Sequence, residues 1–253
     1  MKAEWSILVF GAGMVLWSCT PDARLTMYFN PQPGAVYHYL VSERTRSMST
    51  EGGAKVFREH NVALSYHSEA KQNGLQISID GLDTHTQAAN GKETNRSEKA
   101  PPLDCRLDPQ GRVMDLAGLP RQDQEYVGHL LEKSWRIFPN HPVAIGDSWT
   151  GLDTLNADPH IPITTRFTLT KRRAGILYIQ TESDVDLIRV DLRGESHPGN
   201  LTLKGRQHGM LHVDERTGMV LDGQTLLKAE GVLEAGGKSV RMRIDSTCDI
   251  QGA

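Results

Sequence analysis

From residue 35 onward, apolar side chains recur at every second position. Tyr37, Tyr39 and Val41 alternate with His38, Leu40 and Ser42, and Val62, Leu64 and Tyr66 share one side of a later segment. Period-two alternation predicts half-buried strands, because successive side chains of an extended chain point to opposite faces. Leu75, Ile77 and Ile79 repeat the pattern after Lys71-Gln72-Asn73-Gly74, which predicts a hairpin with Gly74 where a positive φ is needed. Residues 84 to 102 carry few apolar side chains and end in Pro101-Pro102, which predicts an exposed loop. Leu103 to Leu107 and Val113 to Leu116 read as strands on either side of the turn Asp108-Pro109-Gln110-Gly111.

One segment changes period. After Pro120, the positions Val127, Leu130, Leu131, Trp135 and Phe138 fall at helical spacing, with acidic Asp123 and Glu125 early and basic Lys133 and Arg136 late. This predicts an amphipathic helix over residues 120 to 138, stopped by Pro139. Alternation then returns at Ile163, Thr165, Phe167 and Leu169, a turn at Arg173-Ala174-Gly175 leads to Leu177 and Ile179, and Val185 and Leu187 continue. Strands are also predicted from Leu201 to Val213, from Met219 to Leu227 and from Val240 to Ile244, the first two joined by a turn at Asp214 to Gly218. The expected fold is mainly β, an antiparallel meander forming a curved, partly open barrel-like sheet with one principal amphipathic helix. The two Asp-start, Gly-end turns hint at two similar halves with a soft boundary near 140; one continuous sheet is the alternative.

The first residues follow another rule. Lys2 and the α-amine precede an apolar run from Trp5 to Trp17 that is short for a membrane span and suits a cleaved export signal over residues 1–18. Leu16-Trp17-Ser18-Cys19 resembles the lipobox of bacterial lipoproteins, Trp17 being its one departure. The resemblance implies that Cys19 carries acyl chains of the palmitate type, and more than one chain is what durable anchoring requires. Thr20 in place of Asp resembles the signal for the outer membrane, so a periplasm-facing outer-membrane lipoprotein is expected. Residues 19–34, with three prolines, read as the lipidated tether, 35–249 as the β-rich domain and 250–253 as a tail.

Composition narrows the partners. The formal net charge is -3, and Lys171-Arg172-Arg173 is too brief a basic run to argue for nucleic acid. Beyond Cys19 the chain has Cys105 and Cys248, a candidate disulfide in an oxidising compartment, with two separately buried thiols as the alternative.

Candidate chemistry is sparse. Gly146-Asp147-Ser148-Trp149 reads as a turn in which Asp or Ser bonds the local backbone and Trp enters the core. His208 and His212 lie four residues apart in a strand pattern, roughly 13 Å, too far to share one metal. Asp83 and His85 make an incomplete ligand set, so neither a metal nor a cofactor is expected. The chain carries no Gly-x-Ser-x-Gly, His-Glu-x-x-His, Cys-x-x-Cys or phosphate-binding loop, which argues against an enzyme without excluding a site assembled in space. Tyr37, Tyr39, Tyr66, Phe167 and Tyr178 are the candidates to line an apolar cavity.

The lipobox, the β meander, the Asp-to-Gly turns and the segment Pro142, Val143, Gly146, Asp147, Ser148 and Trp149 together resemble an uncharacterised family of bacterial lipoproteins classed only as a domain of unknown function. In outline the chain is also similar to the curved β folds of lipoprotein carriers. The resemblance supplies no site residues. The functional expectation is a membrane-anchored, non-catalytic binding or scaffolding lipoprotein whose partner is an apolar ligand or an envelope protein. A lipid carrier and an envelope hydrolase are the alternatives.

Overall fold

A computed structural model of the chain describes residues 24–51, 54–71, 74–87, 92–98, 103–107, 113–117, 138–155, 161–191, 199–235 and 237–252. The export signal, Cys19 and, apart from Phe138, the helix expected over 120–138 lie outside the described residues. Among the described residues there are twelve strands: β1 (Val36–Glu51), β2 (Ala54–Lys71), β3 (Gly74–Gln87), β4 (Glu93–Glu98), β5 (Leu103–Leu107), β6 (Val113–Ala117), β7 (Ser148–Leu155), β8 (Ile161–Arg173), β9 (Ile176–Asp191), β10 (Gly199–Asp214), β11 (Val220–Ala235) and β12 (Lys238–Gly252). They form one antiparallel sheet in the order β6-β5-β3-β2-β1-β12-β11-β10-β9-β8-β7, with β4 also on β3, and the sheet does not close.

Both halves of the chain therefore share one sheet. The first meander runs outward from β1, the second runs inward from β7, and β1 pairs with β12 along Tyr39↔Gly252 to Thr50↔Arg241. That seam places the first and last strands at the centre of the sheet, where both their edges are hydrogen-bonded.

The alternation read from the sequence is the burial pattern. Tyr39, Val41, Val62, Leu64, Tyr66, Ile77, Phe167, Leu169, Leu177 and Ile179 are buried on one face. Leu40, Arg44 and His208 on the other face are exposed. The Arg173-Ala174-Gly175 turn carries two successive positive φ values, 51° at Ala174 and 77° at Gly175, the backbone that a tight hairpin demands.

Two expectations are corrected. Residues 84 to 87 continue β3, and Glu93–Glu98 pairs with it from Leu82↔Glu98 to Gln87↔Glu93, where a loop was expected. A short edge strand is held by backbone hydrogen bonds and needs no apolar face, so polar composition did not reveal it. Nor does a disulfide join Cys105 to Cys248. Both thiols are buried in one cluster, but they sit on β5 and β12, with β3, β2 and β1 between them. Four strand spacings amount to roughly 19 Å along the sheet, far beyond the Cα separation of about 7 Å that a disulfide tolerates.

Two glycines mark close approach of paired strands. An added Cβ at Gly231 would lie 1.9 Å from the Thr202 carbonyl oxygen, and at Gly205 2.2 Å from that of Lys228. A side chain at either position would force the neighbouring strand to shift.

Candidate functional site

The buried, inner face of the sheet is apolar at two ends and polar between them. The larger cluster joins Cys105 and Leu116 at one edge to Trp149 at the other through the aromatics Tyr39, Tyr66 and Phe167. Tyr39 stacks on Tyr66 with centroids 5.2 Å apart, and Trp149 on Phe167 at 5.9 Å. Burial pushes the Tyr39 phenol well above its ordinary range, so it stays neutral. Leu25, Met27 and Phe29, from the stretch read as a tether, pack over this end together with Phe138 and Val143. Leu25 and Val143 exchange backbone hydrogen bonds of 2.7 and 2.9 Å, and the Asn30 amide donates to the Thr217 carbonyl at 2.8 Å. Their own period-two spacing, Leu25-Met27-Phe29, was the signal for this strap.

The second cluster comprises Ile163, Val185, Leu201, Leu203, Leu227, Ala229 and Ile244, with Leu187, Leu233 and Met242 half-buried against it. All of these come from β8 to β12, and none is aromatic. Between the clusters runs a transverse polar row fixed by strand pairing, Thr45, Ser246, Gln207, Ser183 and Thr165, interrupted on β11 by Leu227 of the second cluster. Thr165 and Ser183 share a buried hydroxyl–hydroxyl bond of 2.7 Å. Thr45 and Ser246 lie 2.9 Å apart, and both donate at 3.3 Å to the buried Glu43 carboxylate. His60 faces Thr45 across β1 and β2 and contacts the Thr86 hydroxyl at 2.8 Å. Enclosure of the ring lowers its pKa below the ordinary histidine value, against a smaller opposing pull from Glu43.

Of the residues expected to line a cavity, Tyr37, Tyr39, Tyr66 and Phe167 meet on the inner face. Tyr178 does not. Its neighbours Leu177 and Ile179 are buried in the cluster, so its ring stands on the outer face, edge-on to His212 at 4.6 Å and with Lys171 Nζ 5.1 Å above it. The alternation was correct, and the phase at this residue places it outside.

The outer face is largely polar, with exposed apolar side chains at Val36, Leu40, Met48 and Met210. A groove of about 820 Å³ crosses β4, β3, β2, β1 and β12, lined by Arg44, Asn61, Asp83, His85, Asn95 and Asp249 among others. Asp83 and His85 thus belong to one surface, where His85 bonds to Asn95. Nearby, the Arg46 guanidinium bonds the Glu59 carboxylate at 2.8 Å and holds its pKa below the usual carboxylate range. His208 and His212 are on the outer face of β10, and His212 pairs with Asp222 at 2.6 Å. Gly146-Asp147-Ser148-Trp149 plays the structural part expected of it: Gly146 has φ 94°, the Asp147 carboxylate accepts the Ala144 amide at 3.0 Å, and Trp149 is buried.

Sequence reading missed a group assembled across β1, β2 and β3. His38 and His67 are directly paired across strands, and His67 Nδ1 lies 2.9 Å from an Asp80 oxygen. The register of the β1–β2 hairpin would have revealed the two histidines. Asp80 sits at a bulge beside Gly81, and a glycine inside a strand pattern is the signal that could have marked it.

Comparison with known proteins places this architecture. Residues 123–220 match the model of a family of unknown function (DUF6263), a stretch that includes all of Pro142 to Trp149. The fold is similar to that of a solved structure described as lipid–protein interactions in lipovitellin, with a TM-score of 0.53 and 13% sequence identity over 88% of this chain. The chain spans 25% of that protein's length. Among curated proteins nothing matches.

Proposed function

We propose that this chain is a non-catalytic carrier or binding domain that takes an acyl-chain lipid against the inner face of its open sheet, while acylated Cys19 holds it to the outer membrane facing the periplasm. The observation that carries the reading is the inner face itself: apolar clusters at both ends of one unclosed sheet, against an outer face lined by charged and amide side chains. An unclosed sheet can admit a ligand between its edges without breaking a hydrogen-bonded barrel. The far cluster offers branched aliphatic side chains suited to hydrocarbon, and the row from Thr45 to Thr165 offers hydroxyl and amide groups within reach of a polar head. The lipid context of the lipovitellin structure, similar in fold only, agrees with this reading.

The test uses the full chain expressed in a bacterial host. Intact mass should show acylation at Cys19, and Cys19→Ser should release a folded protein from membranes. Native mass spectrometry of that released form should find a co-purifying lipid, and a fluorescent long-chain fatty acid should bind saturably. Met242→Glu, at the half-buried rim of the far cluster, should weaken that binding at least tenfold, about 1.4 kcal/mol. A protein that carries no lipid and binds no acyl probe would overturn the carrier reading.

A further inference from the structure

We propose that His38, His67 and Asp80 form a binding site for one divalent transition-metal ion, zinc being the best match. Each residue offers one ligand atom, and the three atoms lie within 4.8 Å of one another. Among the described residues this is the group of metal-binding side chains that converges.

The backbone explains how three unremarkable residues meet. His38 on β1 and His67 on β2 are direct cross-strand partners, their rings 5.8 Å apart. On β3, Ile79 pairs with Tyr66 but Gly81 pairs with Ser65, so Asp80 is an extra residue in a bulge. A bulge re-aims the side chain it carries and shifts the phase of the strand beyond it. The phase shift is visible in the core: Ile77 faces inward before the bulge, and Leu82, five residues on, packs against the same cluster after it. Strict alternation would have turned Leu82 outward. Asp80, three residues past inward-facing Ile77, lies at the bulge on the outer face beside His67, with its carboxylate 2.9 Å from Nδ1.

The chemistry fits. Two imidazoles and one carboxylate are a borderline nitrogen–oxygen donor set that suits zinc and leaves a coordination position for water or an incoming anion. Tetrahedral zinc with ligands near 2.0–2.1 Å sets neighbouring donors about 3.4 Å apart, so the widest-spaced donors need draw together by no more than about 1.4 Å. Exposed His38 and half-exposed His67 and Asp80 can do so by rotation of their side chains. A shallow concavity of about 260 Å³, which His38 and His67 line with Glu69, Gln76 and Ser78, keeps the position accessible from solvent. An ion bound there would cross-link three adjacent strands on the outer face, independently of any ligand on the inner one.

The experiment is isothermal titration of the untagged full chain with a zinc salt alone, with cobalt(II) absorption as a spectroscopic check. One equivalent should bind, and the melting temperature should rise with zinc concentration, because an ion that binds only the folded state stabilises it. His67→Ala and His38→Ala should each lower affinity at least tenfold, as should Asp80→Asn, and the His38→Ala/His67→Ala double variant should lose the cobalt spectrum of a nitrogen-ligated ion. Ser78→Ala, in the same concavity but without a strong donor, should keep wild-type affinity. Melting curves without metal establish that each variant is folded, and His38→Gln, at an exposed position, serves if an alanine variant is not. No saturable binding, or binding that survives in the His38→Ala/His67→Ala double variant, would overturn the site.

Discussion

The two ends of the inner face are made from the same sheet and finished differently. At one end, aromatic pairs stack across neighbouring strands, and a strap containing Leu25, Met27 and Phe29 is bonded to Val143 over them. At the other end the described members are aliphatic, all from β8 to β12, with Leu187, Leu233 and Met242 half-buried. The contrast separates two uses of apolar surface. Where covering segments and stacked rings fill the space, the cluster is a core whose loss costs stability. Where branched side chains line a rim, the same chemistry can trade water for a ligand at little structural expense.

The largest expected effect breaks the covered end. Ile179→Ala, at a fully buried position, should cost about 3 kcal/mol of unfolding free energy, whereas Met242→Ala at the half-buried rim should cost about 1 kcal/mol. Chemical denaturation of both variants measures this, and equal costs would show that the two ends are one kind of core. Next, Gly231→Ala places a methyl 1.9 Å from the Thr202 carbonyl oxygen, so the two strands must part at the far cluster. A loss of about 2 kcal/mol is expected, with weaker acyl-probe binding, because the strand pairing at this end is disturbed. Gly237→Ala, in the β11–β12 turn with φ 73° and open space around it, is the control, expected to cost about 1 kcal/mol and leave probe binding intact.

A smaller effect is expected at the turn below the strap. One Asp214 oxygen accepts the Arg216 amide at 3.1 Å, the Thr217 amide at 2.8 Å and the Thr217 hydroxyl at 2.7 Å, and the Thr217 carbonyl in turn holds Asn30. Asp214→Ala should cost about 1 kcal/mol, the usual scale for a lost side-chain cap on backbone amides. Amide exchange should rise at Asn30 and Gly218 and stay unchanged in β12.

The smallest concerns pH at the polar row. Burial depresses the folded-state pKa of His60, so below about pH 6.5 the unfolded chain takes up the proton first and stability falls as the solution is acidified. His60→Gln should flatten this part of the melting-temperature profile and leave the profile above pH 7 unchanged. A melting temperature that rises on acidification in the wild type alone would reverse the assignment.

Much of this was legible one strand at a time. The alternation at Tyr37 to Val41, Val62 to Tyr66 and Ile163 to Leu169 marked the buried face, and Ala174-Gly175 and Asp214 to Gly218 marked their turns, because side-chain period and positive φ are local properties. The strap was legible in principle from the spacing of Leu25, Met27 and Phe29, but three residues are too few to stand out against a proline-rich stretch. The polar row was not legible, since it runs across strands and exists only once five registers are set.

Sequence by itself determined that the chain is antiparallel β and which side of most strands turns inward, because those follow from hydrophobic period and turn chemistry within a few residues. Tertiary structure alone decided that β1 pairs with β12, joining the halves into one sheet. It also set Cys105 and Cys248 strands apart, made an edge strand of Glu93–Glu98, and brought Asp80 to His38 and His67. The physical reason is common to all four. Pairing between strands is made by backbone groups identical in every residue, so partner and register are chosen by the packing of the whole face.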